Sequence, residues 1–342
     1  MPYIFLYLFL ALLCLLNIQI CPTGTDIKRI MNRLHALRFI FAVLIIFSHC
    51  TAPFFPLPHI LLPLSKISTF CVGYFFISSG FGLAYSVASK PNYLHNFWKK
   101  IVDLLLITLF SSVVSTLIQN TVLGTHQTLH LVNWYMPTLI LLYLIFYISY
   151  RFFPKNKFRR VVFLSVVIFV ITSVICVLDT VTGLNHRVYY ISELTFPFGV
   201  FIYEYADLLA SFLKKNCALP LILAAEIVFS VLALAVPQKG LPDLIFHNLM
   251  ILPFGLLLIW LLDKFKISNH IIRTMNPYAP FLYLFQFAVL EILKNYYVTS
   301  AHPFDIFYFW GVLLLTSVLA IALQHLYNFI EAEAHKRFCP NK

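Results

Sequence analysis

Charge is scarce in this sequence. Asp, Glu, Lys and Arg make up 11% of its 342 residues, against ~25% in a soluble domain. That excludes an ordinary water-soluble globule. Acidic residues are rarer than basic ones, 13 against 24. The seven cysteines include no Cys-x-x-Cys pair, so neither a zinc site nor a disulfide framework is indicated. Most lie in or beside apolar runs, where cysteine behaves as a small hydrophobe. There is no internal repeat and no low-complexity linker, so the chain reads as one domain. What the sequence has instead is 61% hydrophobic and 17% aromatic residues, the composition of a polytopic membrane protein. Lipid is then the solvent. The formal charge of +11 belongs to loops on the cytoplasmic side and does not indicate nucleic-acid binding.

Apolar runs of the ~20 residues needed to cross a bilayer fall near 34–53, 68–88, 101–122, 133–153, 161–181, 191–212, 218–236, 244–263, 278–296 and 306–328. The expected fold is all-α: a polytopic membrane helix bundle of ten core spans, occupying residues 31–335, with a cytoplasmic tail from 336 to 342. Residues 3–20 form a further apolar run without a positively charged segment before it. An uncleaved extra span, a cleaved signal and a true start at Met31 are the three readings of residues 1–30. Basic residues test the placement: one alternating set of loops holds 19 of the 24, including Lys28, Arg29, Lys99, Lys100, Arg159, Arg160 and Lys336. The other set and its nearby helix ends hold Lys66, Arg187, Lys239 and Lys294. The positive-inside rule then puts the 21–33 loop and the C-terminus in the cytoplasm.

The first core span is the stretch around which the chain is organised. From Arg38 to His49 every residue is apolar except Ser48 and the two ends. Eleven residues make just over three helical turns, so Arg38 and His49 share a face, ~16 Å apart along the axis. An arginine within a membrane helix costs ~2.5–3.5 kcal/mol on insertion scales and normally faces a protein interior or a wet cavity. The alternative is an Arg38 that snorkels to the surface and a His49 that ends the helix. In the second span, Ser78, Ser79, Gly80 and Gly82 permit close approach of another helix or of a ligand. Lys99 and Lys100 serve either as a topology signal or as a grip on phosphate. Trp134 and Tyr135 belong to an aromatic belt or to a sugar-stacking surface. Glu193, Glu204, Glu226, His247 and Glu291 lie in or near spans, several of them near predicted ends where they can reach water, with Glu193 and Glu291 on the outer side.

Several of these stretches together resemble the acyltransferase-3 family of integral membrane acyltransferases. Leu34-His-Ala-Leu-Arg38, followed after ten residues by His49, is similar to the family's first helix. Phe75-Phe-Ile-Ser-Ser-Gly-Phe81 resembles its Phe-Phe-x-x-Ser-Gly-Phe element, and Phe97-Trp-Lys-Lys100 its basic entry to the third helix. Further likenesses are Asn133-Trp-Tyr-Met-Pro-Thr-Leu-Ile-Leu-Leu-Tyr143, Phe196 to Tyr203 and Pro277 to Gln286. They follow the family's order over roughly residues 31–330. Three positions depart from it: His35 stands where the family has Asp, Val102 or Asp103 where a further basic residue is common, and Gln286 where a His is common.

The resemblance implies transfer of an acyl group, acetyl in the first instance, from acyl-CoA to a hydroxyl of a cell-envelope carbohydrate or lipid-linked sugar. The implied location is a bacterial inner membrane. Acetyl-CoA or another acyl-CoA is the expected donor, with no metal. The expected partners are the lipid bilayer and the glycan acceptor. Within that reading His49 is a general base or a covalent acyl carrier. Arg38, with Lys99, Lys100, Ser79 and Gly80, holds the cofactor through charge-assisted hydrogen bonds. Trp134, Tyr135, Glu193 and Glu291 are the candidate acceptor contacts. The rival class is a transporter or flippase for a lipid-linked saccharide, for which matched helix breaks in two halves are expected and not seen. A sensor or scaffold is a third class.

Overall fold

The structure, a computed structural model, describes residues 3–21, 26–54, 56–124, 126, 134–267, 269–297 and 306–338, with the side chains of residues 27, 28 and 334–338 excepted. The tail from 336 onward therefore lies largely outside the described residues. Fifteen helices are described: α1 (Ile4–Leu15), α2 (Ile27–His35), α3 (Arg38–Cys50), α4 (Leu62–Lys66), α5 (Ser68–Ser89), α6 (Phe97–Leu123), α7 (Tyr135–Phe152), α8 (Lys157–Thr182), α9 (Thr195–Glu204), α10 (Ala206–Leu213), α11 (Ala218–Ala235), α12 (Leu241–Lys264), α13 (His270–Met275), α14 (Ala279–Tyr297) and α15 (Ile306–Phe338). The only strand pairing among the described residues joins β1 (Gln19–Ile20) antiparallel to β2 (Phe265–Lys266). The protein is an all-α, multi-pass membrane bundle.

Among the described residues, eight helical segments are long and apolar enough to cross a membrane, and the pair α9–α10, bent by 89°, makes up to nine. The sequence placed ten spans, and two of them differ here for physical reasons. The span expected at 191–212 is broken between Glu204 and Ala206. The span expected at 278–296 is α14, which has 19 residues but is not among the apolar segments, because it carries Gln286, Glu291, Lys294 and Asn295. It packs on α3, α6 and α15, so protein rather than lipid surrounds most of it. α8 and α11 have the opposite character, exposing long rows of valine and leucine. In water such faces would be adhesive patches, whereas here they meet lipid.

The N-terminal run forms α1, 12 residues or ~18 Å long, short of a ~30 Å hydrocarbon core. It is nevertheless packed on the bundle. Leu6 and Leu13 are buried, Phe9 meets Trp310 edge-on at 5.1 Å, and Asn269 donates to the Leu13 carbonyl at 2.7 Å.

Two features position the interior. α3 lies inside the bundle, with ten of its 13 residues buried against α5, α14 and α15. α5 and α9 touch backbone to backbone. A Cβ on Gly80 would sit 2.2 Å from the Phe196 carbonyl oxygen, and one on Gly199 would sit 2.1 Å from that of Ile77. The small residues of the Ser78–Gly82 stretch thus serve helix packing in large part.

Candidate active site

Arg38 opens α3 at a break in the helix. α2 stops at His35 and α3 starts at Arg38, which leaves first-turn N–H groups without intrahelical partners. Asn276 bridges the gap: its Oδ1 accepts from the Phe39 N–H at 3.2 Å and its Nδ2 donates to the His35 carbonyl at 3.1 Å. The Arg38 guanidinium donates to His35 Nδ1 at 2.7 Å, and the Ser78 hydroxyl lies 3.0 Å from the same nitrogen. An Nδ1 that accepts from a guanidinium carries no proton, so His35 is the neutral Nε2–H tautomer. Among the described residues no carboxylate pairs with Arg38. His35 in place of an acid therefore leaves the arginine's charge intact while fixing one of its donors.

Arg38 lines a cavity of about 240 Å³ with Lys100, Ser78, Ser79, Tyr135 and Tyr283. Its wall contains two cations and no acid, the electrostatics of an anion site.

Three turns along α3, His49 points toward α14. Its Nδ1 is 3.0 Å from Gln286 Oε1, and Gln286 Nε2 donates to the Tyr283 carbonyl at 3.0 Å. With the amide so placed, the imidazole donates through Nδ1–H, and Nε2 of the neutral ring keeps its lone pair. The ring packs on Phe287 at 4.7 Å. His49 lines a second, smaller cavity of about 80 Å³ with Ser68, Thr69, Trp134, Val188, Ser192 and Tyr283. Both residues of the sequence-predicted pair thus face protein-lined space. Tyr283 borders both cavities, its ring edge-on to Tyr135 at 5.0 Å.

The other expected residues divide. Ser79 and Lys100 line the Arg38 cavity, as does Tyr135, which was expected at the acceptor. Trp134 is beside His49. Gly80 turns from the cavity into the α9 contact, because the backbones there leave no room for a ligand. Lys99 is exposed and outside the cavity lining: adjacent residues on a helix point ~100° apart. Glu193 is buried in a different, apolar cleft with Thr138, Ile168 and Tyr189, one oxygen accepting from the Ser192 N–H. Glu291 is exposed and lines neither cavity. Gln286, Tyr283 and His35 carry more of the site than the sequence indicated. The signal for Gln286 and His35 was that each replaces a polar residue of the resembled family.

Arg38 and His49, both half-buried on one interior helix and each beside a cavity, are placed as ionisable groups in membrane helices normally are, toward protein interior or a wet cavity and away from lipid. The chain matches the acyltransferase-3 family, described as an acyltransferase domain, over residues 31–325. It belongs to that family and is a membrane acyltransferase. No curated protein and no solved structure matches the chain.

Proposed function

We propose that the protein moves an acyl group, acetyl in the first instance, from acyl-CoA to a hydroxyl of an envelope carbohydrate or lipid-linked sugar. The observation that carries this reading is the pair of cavities on one helix, one cationic and the other holding His49, with Tyr283 as their common wall. Phosphates of the donor fit a cavity lined by Arg38 and Lys100, and Arg38 retains donors beyond the one given to His35. The ~16 Å between the two residues lets the donor's polar end and its thioester occupy different depths. The donor then enters at the cytoplasmic mouth, the side on which the basic loops fall, in a bacterial inner membrane.

At the thioester, His49 Nε2 takes the proton of the acceptor hydroxyl as its oxygen bonds to the carbonyl carbon. The C–S bond breaks and the imidazolium returns the proton to the departing thiolate. In the relay form, His49 Nε2 itself displaces the thiolate and passes the acyl group to the hydroxyl in a second step. Trp134, in the His49 wall, offers an aromatic face to a sugar. Glu193 and Glu291 remain acceptor candidates at one remove, since neither lines the His49 cavity.

The test uses purified protein with radiolabelled acetyl-CoA and envelope glycans or lipid-linked saccharides. Label transfer with CoA release, abolished by His49→Ala, is the expected result. No CoA release with any acceptor would return the transporter reading. Acid quenching within one turnover separates the two mechanisms, because only the relay leaves label on the protein.

A further inference from the structure

One wall of the His49 cavity is the connection between α8 and α9, residues 183–194, which contributes Val188, Ile191 and Ser192 to the cavity lining and whose one regular piece is a single 3-10 turn at Arg187–Tyr189. Tyr189 in the same segment meets the Trp134 ring edge-on at 5.8 Å. A connection of this length with only one short turn of 3-10 helix is held mainly by what it is tied to, and this one is tied by a set of polar groups.

Arg187 forms a two-pronged ion pair with Asp243 on α12: Nε donates to Oδ2 at 2.7 Å and Nη2 to Oδ1 at 2.9 Å. The same Nη2 reaches His247 Nε2 at 2.9 Å. His247 Nδ1 lies 2.9 Å from Asp243 Oδ1 and 3.1 Å from the Asp243 carbonyl. Every link of this triangle is satisfied by one neutral tautomer, with the proton on Nδ1 and Nε2 accepting from the guanidinium. One turn along α12, Asn248 Nδ2 donates to the Tyr190 carbonyl at 2.7 Å and its Oδ1 accepts from the Leu194 N–H at 3.0 Å. From α8, Asp179 accepts from the His186 N–H and from the Tyr190 hydroxyl.

Such a set is costly as a means of stability. The Asp243 side chain has no exposure, and a buried ion pair recovers its desolvation only through good geometry and complete hydrogen bonding. Apolar residues would hold α8 to α12 as well. What the bidentate geometry adds is position, because a planar fork on a carboxylate fixes direction as well as distance. The sites fixed are those on either side of the cavity-lining residues 188–192.

We propose that Arg187, Asp243 and His247 are positioning residues that hold the 183–194 segment as a wall over His49 and so govern access to its imidazole from that side. As a statement about the acceptor end of the reaction, this rests on the function proposed above. As a statement about access to His49, it does not.

The experiment uses the full chain in lipid nanodiscs and the variants Asp243→Asn, Arg187→Gln and His247→Gln. Each is reacted briefly with diethylpyrocarbonate, and carbethoxylation of the His49 peptide is read by mass spectrometry against that of the His325 peptide. The expected result is a rise of fivefold or more in the His49 rate with the His325 rate unchanged. In parallel, hydrolysis of acetyl-CoA without acceptor should show a kcat raised severalfold with the KM for acetyl-CoA within twofold, a split that general loss of structure would not give. If Asp243→Asn fails to give monodisperse protein, Arg187→Gln decides, since that side chain is 23% exposed and tolerates change. An unchanged His49 rate in folded variants overturns the proposal. Raised His49 reactivity with no CoA release from any form, wild type included, supports the wall and removes the acyl-transfer reading instead.

Discussion

His49 and Gln286 stand 237 residues apart in the chain and 3.0 Å apart across α3 and α14. The glutamine's amide is itself held by the Tyr283 carbonyl, so its oxygen, not its nitrogen, meets the ring. This orients the imidazole as a base is oriented by a third group in hydrolytic triads, without a charge. Gln286→Leu should therefore lower kcat on the order of 10²-fold, the loss expected from a misplaced reacting group, with the KM for acyl-CoA little changed. Gln286→His, which restores the residue common in the family, should keep activity within about tenfold of wild type. Steady-state CoA release measures both.

Arg38 and Lys100 line one cavity and Lys99 does not. Arg38→Ala should raise the KM for acyl-CoA by about 10- to 100-fold, the range of a hydrogen bond to a charged group. Lys100→Ala should raise it about two- to fivefold, as for an exposed ion pair, and the effect should shrink in high salt. Lys99→Ala should leave it within about 1.5-fold. Titration of initial rates against acetyl-CoA at two ionic strengths checks all three.

Gly80 and Gly82 look alike in the sequence and differ in space. A Cβ at Gly80 meets the Phe196 carbonyl oxygen at 2.2 Å, whereas one at Gly82 meets only the His35 ring edge at 3.6 Å. Gly80→Ala must part α5 from α9 and should cost about 1–3 kcal/mol, as overpacking does. Gly82→Ala should be close to neutral. Thermal unfolding in detergent, followed by tryptophan fluorescence, distinguishes them.

Tyr283 separates the two cavities. Tyr283→Ala should join them and admit water to the thioester. Acetyl-CoA hydrolysis without acceptor should rise while transfer to acceptor falls. The ratio of free acetate to acylated product measures the uncoupling.

Much of the bundle was legible because helical periodicity and apolarity are local properties. The Arg38 and His49 pair could be placed on one interior face from spacing alone, since eleven residues return a helix to the same side. Gly80 was not legible as packing or ligand contact, because close approach is written with the same small residues in both cases. The partners of the site lay beyond the reach of periodicity. Arg187 read as a stray basic residue and His247 as one ionisable group near a helix end. Their meaning comes from Asp243, 56 residues from Arg187 in the chain. Gln286 read as a departure from a family pattern, and only the packing of α14 against α3 shows which ring it serves.

α14 is too polar to be held by lipid alone and is sheltered by α3, α6 and α15. During synthesis it must wait at the membrane for company, and α15 is the last of its neighbours to be made. Gln286 is itself made near the end of the chain, 237 residues after the imidazole it meets. A ribosome-bound or truncated chain ending before Ile306 holds Arg38, His49 and Gln286 and lacks the helix on which both α3 and α14 pack.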